Sequence, residues 1–298
     1  MVLLLAVCGR ASCESQLEEL LIMATVQHDA AAVKEIIEAG VSANTVGEKG
    51  VTVLMMACMM GHADVAKELL QGGASVEAAD KLGNRPLMLA ASYKNRVELV
   101  RMLLQAGAKV NAQNTNGLTA LMRAIVEGQP QAVRVLLEEG NAALNPADGE
   151  GNQALMLAAL KGDPDSTRLL LLAGASTEAK NRNGLTPLMV AASVVHNDDD
   201  AGVAHLAVVD LLLVAKAKME AIDSHGATAL IIAAAAGNVR LVRKLLERGA
   251  KADAFDYQGV TALEAALKGD LPQHQESAEL IRDTLHGRGP GSGRKEEL

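Results

Sequence analysis

A short motif, GxTxLM with close variants, recurs along most of this chain at a nearly constant interval. Its glycines are Gly50, Gly83, Gly117, Gly151, Gly184, Gly226 and Gly259, and the step from Gly184 to Gly226 is visibly longer than the others. A fixed period of about 33 residues indicates one small supersecondary unit stacked many times, each unit packing only on its neighbours. The chain is therefore predicted to form one elongated repeat array, and such arrays bind partners far more often than they catalyse.

The unit is clearest between residues 80 and 113. Asp80 can close an Asx turn and Gly83 can take a positive φ, which predicts a tight hairpin before the first helix. Pro86 suits the first turn of that helix, where its missing N–H costs nothing. A second helix with apolar residues at helical spacing follows, and Gly107 is predicted to end it as a left-handed cap.

The same signals recur in the other units. A threonine two residues after the glycine can cap the first helix, at Thr52, Thr119, Thr186, Thr228 and Thr261. Arg85 and Gln153 take this place in two units, where weaker caps are expected. The predicted stops of the second helices are Gly40, Gly73, Gly107, Gly140, Gly174 and Gly249, with Lys216 at a strained positive φ in the sixth unit.

On these motifs the chain resembles the ankyrin repeat family: DxxGxTxL opens the units, and LLxxGA closes them at 69–74, 103–108 and 245–250. The resemblance implies an all-α solenoid, with a β-hairpin finger and two antiparallel helices per repeat and a concave groove along the stack. The family usually has His after the Leu of TPLH. Here that position is Met55, Met88, Met122, Met156, Met189, Ile231 and Glu264, and we expect core packing rather than a methionine-based ligand site.

The repeat boundaries divide the chain into three parts. Residues 1–14 are predicted to be a flexible N-terminal segment, 15–286 a single domain of about eight repeats, and 287–298 a disordered tail. The repeats are expected near 15–46, 47–79, 80–113, 114–147, 148–180, 181–222, 223–255 and 256–286. The sixth carries about eight extra residues, predicted as an inserted loop at 194–205.

Composition narrows the classes of partner. The net charge of −8 over 298 residues argues against nucleic acid, since phosphate binding depends on clustered Lys and Arg. With one Phe, two Tyr and no Trp, the core must be aliphatic. Three cysteines give no disulfide framework, and Cys58 lies in an apolar run where a buried free thiol is expected. No apolar run approaches the roughly 18 residues of a membrane span.

The sequence contains no catalytic or cofactor-binding signature. In the insertion, His196, Asp198, Asp199, Asp200 and His205 match neither a calcium loop nor a zinc spacing, so no metal is expected. A solvated acidic loop or a docking contact at 196–205 are the alternatives. Asn111 resembles sites of asparaginyl hydroxylation in the family, and its alternative role is that of a polar loop residue.

A semi-apolar groove is the predicted binding surface. In the family, hairpin tips and the late part of each first helix face the concave side, and many of these positions are apolar here. Packing against the adjacent repeat is the alternative for several of them. The partner-binding residues predicted on this basis are Met59, Met60, Leu82, Tyr93, Leu118, Val126, Glu127, Leu160, Lys161, Arg182, Leu185, Val194, His225 and Tyr257.

The predicted function is a non-catalytic scaffold, without cofactor, that binds one or more proteins through the groove and is monomeric on its own. An adaptor or inhibitory subunit that docks on an enzyme through 196–205 is the alternative. The expected location is the cytoplasm or nucleus. A weakly signal-like start at 1–11 and a KEEL ending at 295–298 leave the endoplasmic reticulum lumen as the other possibility.

Overall fold

The computed structural model describes residues 10–194 and 200–287, with side chains from 15 to 194 and from 202 to 287. This part of the chain is built from sixteen α-helices joined by hairpin turns, with isolated β-bridges such as Val46–Thr52 at three of the hairpins. The all-α repeat fold expected from the sequence is confirmed. The residues group into two compact units, Met1–Pro146 and Ala147–Leu298.

Unit 1 is a stack of helix pairs. The first helices of neighbouring pairs pack on one another, and so do the second helices, which buries an aliphatic core between them. Leu54 and Leu121 are fully enclosed in this core. The helices are α1 (Arg10–Val26), α2 (Ala30–Glu38), α3 (Val53–Met60), α4 (Ala63–Gln71), α5 (Pro86–Ser92), α6 (Val97–Gln105), α7 (Ala120–Val126) and α8 (Pro130–Glu138).

Unit 2 repeats the arrangement. Its first helices α9, α11, α13 and α15 stack in order, while α10 packs on α12 and α14 on α16. The helices are α9 (Ala154–Lys161), α10 (Pro164–Leu172), α11 (Pro187–Ala192), α12 (Asp200–Val214), α13 (Ala229–Ala236), α14 (Val239–Glu247), α15 (Ala262–Leu267) and α16 (Pro272–Leu285).

The first helices begin at the predicted threonines. All five of these side chains accept a backbone N–H from the third residue of the helix, and neither Arg85 nor Gln153 does so. The methionine that replaces the usual histidine adds to the cap in two repeats. The sulfurs of Met55 and Met189 each lie 3.4 Å from the backbone nitrogen of the preceding threonine, so packing is not their only contribution.

Two rows of hydrogen bonds join neighbouring repeats. Hairpins are linked tip to tip, for example by the Lys81 N–H donating to the Lys49 carbonyl at 3.1 Å. Behind them, a side chain of one repeat accepts an N–H of the next, as Asn44 Oδ1 does from Ser75 at 2.7 Å. These bonds satisfy backbone groups that the short hairpins leave without a sheet partner.

The ends of the second helices follow the prediction except at one place. Gly40, Gly73, Gly107, Gly174 and Gly249 all have positive φ. Gly140 does not; the left-handed residue there is Asn141, with φ 50°. The Ala142 N–H bonds to the Leu136 carbonyl, which places the turn one residue later, and asparagine tolerates this conformation better than most residues.

Lys216 occupies the left-handed conformation expected of it, with φ 64°. Because a Cβ is strained there and glycine is not, Lys216→Gly should raise the free energy of unfolding by about 1 kcal/mol. Urea denaturation measures the change. Lys218→Gly, two residues away at an exposed site, is the control and should bring no gain; equal gains would show that the φ of Lys216 is not the cause.

Two boundaries differ from the sequence interpretation. Helix α1 begins at Arg10, so residues 10–14 of the expected flexible segment are helical. Helix α12 begins at Asp200, so residues 200–205 of the expected loop are helical. Residues 1–9, 195–199 and 288–298 lie outside the described residues.

Candidate functional site: an apolar surface on the first helices

The hairpin before α3 lies against one face of that helix. A Cβ added at Gly47, in the hairpin before α3, would stand 2.6 Å from Cε of Met56, so the Met56 face of α3 is the hairpin face. Met59 and Met60 are three and four residues further on, one turn along the same face. Met59 and Met60 therefore lie on the side of α3 that faces its hairpin.

Unit 1 exposes large apolar side chains on three adjacent first helices. Met59 is 38%, Met60 41% and Tyr93 41% exposed, at the ends of α3 and α5. Met23 and Val26 of α1 stand one repeat period before Met56 and Met59, and they are exposed as well. We call these residues the apolar floor: Met23, Val26, Met59, Met60 and Tyr93.

The floor is held by contacts between repeats. Arg96, at the start of α6, lies over Gly61, where an added Cβ would collide with its guanidinium group. Its Nη2 donates to the Met60 carbonyl at 2.6 Å, which places a cation at the C-terminal end of α3. Further along the stack the surface turns polar, because Arg123 pairs with Glu127 at 3.5 Å and donates to Ser92 Oγ at 3.1 Å.

The predicted groove residues of unit 1 differ in how accessible they are. Met59, Met60, Leu82, Tyr93 and Glu127 are exposed, and Leu118 and Val126 are half-buried. Because α3 packs on α5, Met59, Met60 and Tyr93 lie at the same end of two neighbouring first helices. Met23 and Val26 were not among the predicted residues, although their spacing of one period from Met56 and Met59 is a signal that identifies them.

The corresponding surface of unit 2 has fewer large apolar groups. Leu160 is exposed, but α13 ends in alanines and offers little side-chain volume. Two aromatic side chains are exposed on the last hairpin, one of them Phe255, which the sequence analysis did not select. Of the predicted residues in this unit, the exposed ones are Leu160, Lys161, Arg182, His225 and Tyr257, and the half-buried ones are Leu185 and Val194.

Three histidines have structural positions between repeats. His62 Nδ1 lies 2.9 Å from the Thr25 carbonyl, His205 Nε2 3.1 Å from that of Leu160, and His274 Nε2 3.1 Å from that of Ala235. Each histidine contacts the C-terminal end of the first helix of the preceding repeat, where carbonyl groups lack intrahelical partners. His205 is thus buried against a neighbouring repeat.

Residues 10–194 and 200–287 contain no group of three or more His, Cys, Asp or Glu that could hold a metal. In unit 1 the rings of His28 and His62 stack with centroids 4.1 Å apart, and His28 Nε2 lies 2.6 Å from Asp64 Oδ1. Desolvation raises the pKa of Asp64, but hydrogen bonds from the Val65 N–H and from His28 outweigh it, so the pKa is lowered overall.

Asn111 bridges two repeats. Its Oδ1 accepts the N–H of Ala143 at 2.8 Å, as Asn44 does in an earlier repeat. Its side chain is nevertheless exposed, so the bridge and the predicted hydroxylation are compatible.

Among the described helices, none combines the length and the apolar composition needed to cross a membrane. A family model described as "Ankyrin repeats (3 copies)" matches residues 20–114, 107–181 and 200–286.

Proposed function

The chain belongs to the ankyrin repeat family, and on that premise we propose that it is a non-catalytic scaffold whose unit 1 surface binds a partner protein. Ankyrin repeats commonly mediate protein–protein interaction. The observation that carries the proposal is the apolar floor, because large apolar side chains on adjacent helices are costly to leave in water. Tyr93 and Met60 are the proposed anchors, since tyrosine and methionine are enriched in interface cores.

The anchors are tested by a double substitution. Met60→Asp with Tyr93→Asp should weaken partner binding by at least about 100-fold, because carboxylates would be desolvated where apolar contacts are lost. The measurement is affinity capture from the native cell type with the tag in an internal loop, followed by titration of the partner identified. Circular dichroism verifies that the fold is unchanged.

The matched control places two aspartates at exposed apolar sites elsewhere. Leu172 and Val214, 79% and 75% exposed, end second helices and lie outside the proposed surface. Leu172→Asp with Val214→Asp should leave binding intact. A partner that both double variants retain would contradict the anchor role of Met60 and Tyr93.

Docking on an enzyme through 196–205 stays an alternative proposal. Residues 196–199 lie outside the described residues, and the buried position of His205 limits any deletion to 195–199. Removing these five residues should leave binding through the apolar floor unchanged but abolish docking through the insertion.

The remaining proposals concern the state of the protein in the cell. A cytoplasmic or nuclear monomer is proposed, with the lumen of the endoplasmic reticulum as the alternative. Intact-mass measurement of the native protein separates these locations, because a lumenal protein should lack residues 1–11. The same spectrum, with fragmentation, tests hydroxylation of Asn111 as one added oxygen atom on that residue.

A further inference from the structure

Three exposed lysines lie at the two ends of the first helices that carry the apolar floor. Lys49 and Lys81 are exposed at two hairpin tips that the Lys81 N–H···Lys49 carbonyl bond holds together. Lys94 is exposed directly after Tyr93, at the opposite end of the first helices. Within residues 15–194 and 202–287, none of these three lysines takes part in an ion pair.

The charge around the floor differs in sign from that of the whole chain. Arg96 adds a fourth cation, because its guanidinium bonds a neutral carbonyl. Glu48 and Asp80 are the carboxylates next in sequence to the two hairpin lysines, and Asp80 accepts N–H groups of its own hairpin. Glu19, exposed one turn before Met23 in α1, is a third carboxylate beside the floor. These four cations and three carboxylates form the rim of the floor and give it a formal charge of +1, in a chain whose net charge is −8.

The first helices that separate the hairpin lysines from Lys94 are about as long as a helix is wide. Helix α3, which ends in Met59 and Met60, has eight residues, about 12 Å at 1.5 Å per residue. An α-helix with its side chains is about 10–12 Å across. A helix lying along the stack would therefore place one face on the floor and its two flanks near Lys49 and Lys81 on one side and Lys94 on the other.

We propose that the occupant of the apolar floor is an acidic amphipathic helix of a partner protein. Its apolar residues, spaced i, i+3/i+4 and i+7, would contact Met59, Met60 and Tyr93. Carboxylates on its flanks would face Lys49, Lys81 and Lys94, and this charge complementarity sets the orientation and speeds association. The inference rests on the proposed function, since it names the class of partner for the same surface.

The test is a selection with a defined probe. A displayed library of helical peptides of about 18 residues, five turns, is selected on the full-length protein. Enriched sequences should combine an apolar i, i+3/i+4, i+7 stripe with Asp or Glu on both flanks. Enrichment of basic or uncharged sequences, or no enrichment over the starting library, would overturn the proposal.

Charge reversal gives the second measurement. Lys49→Glu, Lys81→Glu and Lys94→Glu together should weaken the selected peptides by about tenfold or more, and should remove most of the loss of affinity between about 0.05 M and 0.5 M NaCl. The control reverses three exposed lysines of unit 1 away from the rim, Lys34, Lys67 and Lys109, and should change affinity less than threefold. Equal losses in both triple variants would contradict recognition by the rim.

The outcomes separate the two proposals. If the peptides bind the Lys49→Glu, Lys81→Glu, Lys94→Glu variant but no longer bind the Met60→Asp, Tyr93→Asp variant, the binding surface is supported and the acidic helix is refuted. Peptides kept by both would refute the surface itself. A single-stranded oligonucleotide is the last competitor. If it displaces the peptides as effectively as a soluble acidic peptide does, the surface is a general polyanion site, and the proposal is overturned.

Discussion

Replacing Gly184 with alanine is expected to lower the free energy of unfolding by about 2–5 kcal/mol. Gly184 has φ 75°, which strains any residue with a Cβ by about 1–2 kcal/mol. A Cβ there would also lie 2.6 Å from the backbone nitrogen of Ser224 in the next hairpin. Because that nitrogen donates to the Asn183 carbonyl at 3.0 Å, relieving the clash would pull apart a bond between repeats.

Gly174→Ala is the matched control for this substitution. Gly174 lies in the same unit with φ 89°, but nothing is within 4 Å of the position of its Cβ. This variant should show only the conformational strain, about 1–2 kcal/mol. Urea denaturation of both variants isolates the contribution of the hairpin contact, and equal losses would show that the stack can shift to accommodate a methyl group.

The thiol of Cys58 should react about 1000-fold more slowly in the native protein than in the unfolded chain at pH 8. Cys58 is fully buried in α3, and burial raises its pKa to about 12 from an ordinary value of 9.0. Since the thiolate is the nucleophile, the reactive fraction falls by about three orders of magnitude, before steric protection is counted. Alkylation with iodoacetamide in a Cys8→Ser, Cys13→Ser background measures the rate at one site.

The same background supplies a control for the reagent. Adding Cys58→Ala and Ala173→Cys moves the single thiol to an exposed position, where alkylation should be fast with or without urea. Native labelling of Cys58 within tenfold of the unfolded rate would contradict its burial.

The raised pKa of Cys58 also makes the free energy of unfolding depend on pH. The neutral native thiol contributes its full stabilisation below pH 9, and that contribution is lost as pH rises from about 9 to 12.

Much of the repeat unit could be predicted because its signals are local. Thr52 and its counterparts cap helices through a bond to a residue three positions away. Most glycines predicted to end the second helices take a positive φ that depends only on their own turn. Prediction failed where two local signals compete. Gly140 and Asn141 both suit a left-handed turn, and the Ala142–Leu136 bond decides for Asn141.

The candidate surface was less predictable because exposure depends on the neighbouring repeats. The position of Met60 on a late first-helix turn was foreseeable, and its exposure agrees with that position. Leu118 and Val126 have comparable positions but are half-buried. The spacing could have identified Met23 and Val26. No signal within one repeat predicts that Arg96 bonds the carbonyl of Met60 in the repeat before it.

The sequence by itself determined the family, the period, the hairpin–helix–helix unit and most of the helix caps, because these depend on interactions within one repeat that recur along the chain. The tertiary structure alone decided which side chains of the first helices stay in contact with water and which charges surround them. Lys49 and Lys81 belong to different repeats, and only stacking makes them neighbours at the edge of one surface. The five residues of the apolar floor come from three repeats, so only the stacking of α1, α3 and α5 assembles that surface.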